Sequence, residues 1–306
     1  MDERLDDREL RASLARTCAP LAEARTLPGA VYAADAIFEL ECRELFARHW
    51  LAIAHHEDFA AAGSFVTADV AGERILVVRD DAGNVHALYN VCRHRGARLV
   101  TEPRGRLRGA IACPYHAWTY GLDGRLQRAP GMDIADGAVA GLALASMPLA
   151  TWEGFVFANL DGKAASLGTV AGGLPDLARF HLGELRRVTR LEYEIACNWK
   201  IVCENYSECY HCPGVHPQLS RLSDLSSGGF ESHAGFNGGP MALRAGVDTL
   251  SMSGRSTWSR LAAERDVARL VHYYLVYPNL MLGIHPDYLL THRVWPIGAR
   301  RARVEG

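Results

Sequence analysis

The sequence predicts an α+β protein: a helical N-terminal segment, an all-β module, and a second module that sets helix against antiparallel sheet. Three observations carry that reading. Before Trp50, apolar residues recur at near-helical spacing. Between about residues 50 and 160, short β-rich runs are punctuated by Gly, Pro and Asp turns. Further on, one helical stretch, "NWKIVCENYSECYHC", precedes long β-branched and aromatic runs.

Taken in order, residues 1–48 read as a helical segment that packs on the second module. In "DAIFELECRELFARHW", Asp35 is the N-cap candidate, and Ile37, Phe38, Leu45 and Phe46 form the apolar stripe. The interval 49–162 reads as one all-β domain. "RILVVRD" and "VHALYNV" pair around the turn "DAGN", "AWTYG" and "GRLQR" pair around "LDG", and "GFVFANL" adds a strand. The interval 163–306 opens on a linker or short helix, "GGLPDLARFHLGELRRV", and a strand, "TRLEYEIAC". The helix that follows places Trp199, Val202, Cys203 and Tyr206 on one stripe and Asn205, Glu208 and His211 on another, and Pro213-Gly214 ends it. Residues 219–256, rich in Ser and Gly, read as a mobile flap or lid. "RLVHYYLVYPNLMLGIHPDYLLTHRVWP" reads as two strands joined by a turn, and "ARRARVEG" opens another strand.

Composition narrows the function. The 306 residues carry a net charge of −2, which gives no reason to expect a nucleic-acid partner. No apolar run reaches the ~18 residues of a membrane span, and the N-terminus lacks the apolar core of a secretory signal, so a cytoplasmic protein is expected. Eight cysteines in a chain of this size point to buried thiols and metal ligands rather than a disulfide scaffold. Thirteen histidines, several beside cysteines, direct attention to metal.

Two clusters stand out. Cys92-Arg93-His94 and Cys113-Pro114-Tyr115-His116 are a C-x-H and a C-x-x-H pair, separated by eighteen residues, each following a strand. Two thiolates and two imidazoles suit a two-iron, two-sulfur centre of raised potential; a structural zinc on the same four residues is the rival. The second cluster is "ENYSECYHCPGVHP", where Asn205, Glu208 and His211 share a helix face and a break lets His216 fold back. Two imidazoles and a carboxylate leave open positions on an Fe(II).

"CRHRGARL" with "CPYHAWTYGLDGRL" resembles the Rieske domain of the ring-hydroxylating, non-haem iron oxygenases, the eighteen-residue gap reading as an insertion around "EPRGRLRG". "NWKIVCENYSECYHCPGVHP" is similar to the mononuclear-iron motif of the same enzymes. The resemblance implies an all-β Rieske iron-sulfur domain followed by an α+β, helix-grip-like catalytic domain, in the catalytic alpha subunit of a Rieske oxygenase. By it, Cys92, His94, Cys113 and His116 hold a [2Fe-2S] cluster, and His211 and His216 bind Fe(II). Glu208 bridges the cluster of one subunit to the iron of its neighbour, which implies a homotrimer, and Asn205 stands beside it. Electrons come from NAD(P)H through a separate ferredoxin or flavin reductase, since no G-x-G-x-x-G follows a strand here. The substrate is a small aromatic or quaternary-ammonium compound, hydroxylated and in the second case N-demethylated. Glu at 208 within "ECYHC", where dihydroxylating members carry Asp, leans toward the betaine-type branch.

Cys209 and Cys212 are expected as buried thiols, and the arginines at 93, 95, 98, 104, 106 and 108 as a solvated basic face or a docking surface for an acidic donor. Phe236, Trp258, Tyr273, Tyr274, Tyr277 and Tyr288 could build an aromatic cage. The family's third iron ligand is a carboxylate on a C-terminal helix. No later carboxylate matches it, Asp287 being expected to face the pocket or a turn, so a truncated chain is expected. The alternative reading is a Rieske electron-transfer protein with a non-functional catalytic half.

Overall fold

The computed structural model describes residues 7–20, 22–132, 139–170, 176–264 and 267–306. Three helices lead: α1 (Asp7–Thr17), α2 (Ala30–Ala33) and α3 (Asp35–Glu41). α3 runs on into a π turn, Cys42–Phe46, which buries Phe46 against Trp199 with ring centroids 5.0 Å apart. Ala34, not Asp35, is the N-cap of α3; Asp35 stands in the first turn, where its charge still favours the helix dipole.

Among the described residues the β module has eleven strands: β1 (Trp50–His55), β2 (Ser64–Val70), β3 (Glu73–Arg79), β4 (Val85–Tyr89), β5 (Arg104–Arg106), β6 (Ala110–Ala112), β7 (Thr119–Gly121), β8 (Leu126–Arg128), β9 (Ser146–Met147), β10 (Leu149–Trp152) and β11 (Phe155–Asn159). They form a five-stranded sheet β5-β2-β3-β4-β9 and two three-stranded sheets, β6-β7-β8 and β1-β11-β10. The β3–β4 hairpin turns at Asp80–Asn84, where the Asp80 carboxylate accepts from the Asn84 amide at 2.8 Å.

After α4 (Leu167–Val170) come β12 (Glu192–Ile195), α5 (Trp199–Tyr206), α6 (Cys212–Val215) and α7 (Pro217–Leu222). The remaining strands are β13 (Glu231–Ser232), β14 (Phe236–Ala242), β15 (Leu270–Val276), β16 (Leu280–Ile284), β17 (Leu289–Gly298) and β18 (Arg301–Glu305). With β12 they make a seven-stranded antiparallel sheet, β12-β18-β17-β16-β15-β14-β13. The mixture of helix and antiparallel sheet is the expected α+β class.

Two local expectations are corrected. The 270–296 region holds three strands, not two, because a short turn at Tyr277–Asn279 lets β16 fold straight back on β15. Residues 219–256 are not one flap: β14 inside them is a sheet strand paired along its whole length with β15. Its "NGG" hides the alternation for a steric reason. Gly238 has φ +138°, and a Cβ there would lie 1.9 Å from the Tyr273 carbonyl oxygen.

The core does not respect the module border. One buried cluster joins Val66, Ile75 and Val77 of the β module to Trp199, Met281 and Trp295 of the second. Across the same border the Asn279 side chain donates to Ala52 O at 3.1 Å and accepts from Ala52 N at 3.0 Å, while Arg293 donates to Ile53 O at 2.8 Å.

Candidate metal centres

Cys92 and Cys113 open two loops with one hydrogen-bond plan. In each, the cysteine amide donates to the carbonyl five residues on, Ala97 or Trp118, and its own carbonyl accepts from the amide four residues on, Gly96 or Ala117. That fourth residue takes positive φ in both, 70° at Gly96 and 55° at Ala117. The buried Asn90 amide ties the first loop to Val100 by two bonds, 2.7 and 2.9 Å.

The frame turns both thiols inward and both imidazoles outward. Cys92 and Cys113 are 2% and 5% exposed. His94 and His116 lie edge to face, centroids 4.9 Å apart, with Trp118 stacked on His94. The Tyr120 hydroxyl lies 3.3 Å from Cys92 Sγ and accepts from the Arg93 amide at 3.1 Å. Burial, and then the Cys92 contact, push that hydroxyl well above the ordinary tyrosine range. Burial, His116 and Arg95 lower the His94 imidazole below its usual range, the direction that favours the neutral ring. Two thiols on one side and two imidazoles on the other fit a two-iron cluster, one pair per iron. A single zinc would need the four to converge, and among the described residues no three His, Cys, Asp or Glu side chains do. Of the six basic residues nearby, Arg98 pairs with Asp69, Arg104 with Glu305, and Arg106 donates to Ala62 O at 2.9 Å, while Arg93, Arg95 and Arg108 face solvent.

The second cluster differs from its expectation. α5 stops at Tyr206, where the Ser207 hydroxyl donates to Cys203 O at 2.8 Å, so Glu208 and His211 lie beyond the helix. Pro213 does not end that helix; it starts α6. The turn nevertheless gathers the expected residues. Glu208 Oε1 sits 2.6 Å from His211 Nδ1, and Asn205 Nδ2 3.5 Å from the same atom. The His211 and His216 rings are 5.2 Å apart, centroid to centroid. The His211 contact is the main cause that holds the Glu208 carboxyl below its usual range. With Nδ1 engaged, His211 Nε2 is the nitrogen left for a metal. Cys209 and Cys212 are joined as a disulfide, Cα atoms 5.0 Å apart, rather than standing as separate buried thiols, because a turn has replaced the helix between them.

Described residues supply these two imidazoles and Glu208. The later carboxylates are engaged elsewhere: Asp224 with Ser226, Asp248 with Arg255, Glu305 with arginines. Asp266 lies outside the described residues. Asp287 is buried in the β16–β17 turn, where Oδ2 accepts from the Ser256 hydroxyl at 2.8 Å and the Thr257 amide at 3.1 Å. The six aromatics do not meet in one cage, because strand alternation splits them. Tyr274 packs with Phe236 on one sheet face, while Tyr273 approaches Tyr206 and His285 on the other. Sequence reading missed His285, which is 4% exposed, stacked on Tyr288 at 4.0 Å, and without a partner on either ring nitrogen. Only its place before a Pro-Asp turn hinted at it.

Two family models match: the Rieske [2Fe-2S] domain over residues 49–148 and the ring hydroxylating alpha subunit (catalytic domain) over 182–306. The chain belongs to the ring-hydroxylating oxygenase alpha-subunit family, whose members carry a Rieske [2Fe-2S] cluster and a mononuclear iron. It is 34% identical over 314 aligned positions to the glycine betaine monooxygenase oxygenase subunit of Pseudomonas aeruginosa PAO1, covering 91% of this chain and 72% of that one. Over 209 residues it is 36% identical to the carnitine monooxygenase oxygenase subunit of Escherichia coli K12, covering 66% of this chain and 55% of the relative. This chain thus spans about half the length of that relative, and 44% of a Chromohalobacter salexigens glycine betaine monooxygenase oxygenase subunit. The quaternary ammonium Rieske monooxygenase CntA, solved with L-carnitine, superposes with a TM-score of 0.77 at 26% identity, over 92% of this chain and 74% of that one. Among the described residues no helix is long and apolar enough to cross a membrane.

Proposed function

We propose that the chain is the oxygenase component of a Rieske monooxygenase that hydroxylates a small quaternary ammonium compound and so removes an N-methyl group. The observation that carries the reading is the Glu208–His211–His216 constellation, met in a chain similar to glycine betaine and carnitine monooxygenase oxygenase subunits. Residues 1–48 are the helical lead, 49–162 the Rieske half and 163–306 the catalytic half.

Cys92, His94, Cys113 and His116 would hold the cluster, and His211 with His216 the iron. When bound, these groups supply electron storage and oxygen activation. The chain's own residues set the conditions. Tyr120 offers its hydroxyl to Cys92 Sγ, and the inward thiols are kept from water. Glu208 holds the proton at His211 Nδ1 and fixes the orientation of that ring, with the Asn205 side chain beside it. Glu208 also stays about half exposed, which suits its proposed role as the link to the cluster of a neighbouring copy in a homotrimer. Exposed Arg93 and Arg95 would receive an acidic ferredoxin or flavin reductase, and the work is placed in the cytoplasm. The reaction takes one O2, two electrons and two protons, and gives hydroxylated substrate and water.

The test is a single turnover. Protein reduced with dithionite, then mixed with oxygen and glycine betaine, carnitine or choline, is expected to release formaldehyde and the demethylated amine. Absence of product from all three refutes the substrate class. An electron-transfer protein with an idle catalytic half is the competing reading. Iron analysis separates the two, since the oxygenase holds iron beyond the pair in its cluster.

A further inference from the structure

Cys209 and Cys212 stand on either side of His211, and the disulfide between them closes a ring of four residues around it. The other six cysteines are free. The ring reaches both imidazoles through the main chain. The Cys212 amide donates to Cys209 O at 3.1 Å, and the His216 amide donates to Cys212 O at 2.8 Å. Glu208 braces the same turn: its carboxylate accepts from the Tyr210 amide and, at 3.3 Å, from the His211 amide. Holding the two cysteine Cα atoms 5.0 Å apart therefore holds the segment that carries Glu208, His211 and His216 together.

The two sulfurs differ in access. Cys212 is 3% exposed, whereas Cys209 is partly exposed and the Tyr210 side chain between them is 97% exposed. A C-x-x-C pair with one reachable sulfur and a buried one behind it is arranged for exchange: the outer sulfur meets the reagent, and the inner one resolves it. In a reducing cytoplasm such a bond is as a rule transient rather than structural.

We propose that Cys209 and Cys212 are a reversible redox site that sets how firmly this turn holds His211 and His216. Hydrogen peroxide is the oxidant. The Cys209 thiolate attacks one peroxide oxygen, the O–O bond breaks, and the departing hydroxide takes up the thiol proton as water. The Cys212 sulfur then attacks the Cys209 sulfenic acid, forming the S–S bond and releasing a second water. A dithiol returns two electrons and two protons and itself becomes a disulfide. The closed form is the preorganised one, since in it Glu208 meets His211 at 2.6 Å. That the turn holds iron rests on the functional reading above; that the pair opens and closes does not.

The experiment compares native holoprotein after dithiothreitol and after a stoichiometric amount of hydrogen peroxide, each removed by desalting. Denaturation, alkylation with iodoacetamide and trypsin release peptide 201–221, which carries Cys203, Cys209 and Cys212. Three labels are expected after the dithiol and one, on Cys203, after peroxide. In the thiol form, amide hydrogen exchange over 207–216 is expected about tenfold faster, and iron beyond the cluster pair is expected to pass to ferrozine about tenfold faster, with the cluster absorption unchanged. Cys209→Ser is expected to show the thiol-form rates and to respond to neither reagent. The same label count after both treatments, or equal hydrogen exchange or equal iron release in the two forms, overturns the proposal. If Cys209→Ser loses its native circular dichroism, the two forms of the wild type decide alone. A pair that cycles and stiffens the turn, in a protein that never holds iron beyond its cluster, sinks the functional reading alone.

Discussion

Tyr120→Phe isolates one hydroxyl at the cluster loops. The Tyr120 side chain is fully buried, so phenylalanine fills the same space. What goes is the contact with Cys92 Sγ at 3.3 Å and the acceptor for the Arg93 amide at 3.1 Å. The bond to sulfur strengthens as the cluster gains an electron, so its loss disfavours the reduced form. A difference of about 1 kcal/mol between the two states is the ordinary size for one such bond. At ~59 mV per 1.4 kcal/mol for one electron, the potential falls by roughly 40 mV. The assay is a redox titration followed by visible absorption. A potential within ~10 mV of wild type, with the spectrum intact, refutes the argument that this hydroxyl tunes the centre.

Four further outcomes are expected. Cys92→Ser or His116→Ala should bleach the visible absorption of the cluster and lower the melting temperature; an unchanged spectrum removes the ligand assignment. Glu208→Gln should leave iron content at the wild-type level while formaldehyde release stops, and retained turnover rules out any role for its charge. Arg293→Met removes a buried guanidinium that bonds Ile53 O and Glu305, and should cost roughly 3 kcal/mol, or about 6–10 °C in melting temperature. Asp58 and Glu305 are both held below the usual carboxylate range: burial opposes this, but the His55 amide and Arg187 at Asp58, and Arg293 and Arg104 at Glu305, outweigh it. Their stabilisation is therefore complete above the unfolded pKa, about 4, and is lost as pH falls through the depressed folded values; a urea midpoint that rises on acidification contradicts this.

Elements whose reasons are local could be read in the sequence. The β3–β4 hairpin follows from Asp80 and Asn84, and the Cys92 and Cys113 loops from paired Cys/His spacing on short turns. Elements whose reasons are tertiary could not. β14 reads as a flap because Gly238 and Gly239 are chosen for close approach, to Tyr273 O and to Gly229 O, rather than for strand preference. The end of α5 is set by Ser207 folding back on Cys203 O, which weighs nothing in a periodicity count. The aromatic cage failed because neighbouring residues of one strand face opposite ways, so Tyr273 and Tyr274 never share a pocket. The packing of α5 on the N-terminal helices joins segments more than 150 residues apart, as the Glu41–Lys200 and Tyr32–Glu204 pairs make plain, and no local signal joins them.

The Asn279 and Arg293 bonds to β1 have a mechanical consequence. With the side chain of one half reading the main chain of the other at three points, and with aliphatic packing running through the seam, a swinging hinge is closed off. The span from the cysteine loops to His211 within one chain is then a constant of the architecture. Timing must come from the encounter with another polypeptide, or from small rearrangement in the Ser207–His216 turn, and not from one half rocking against the other.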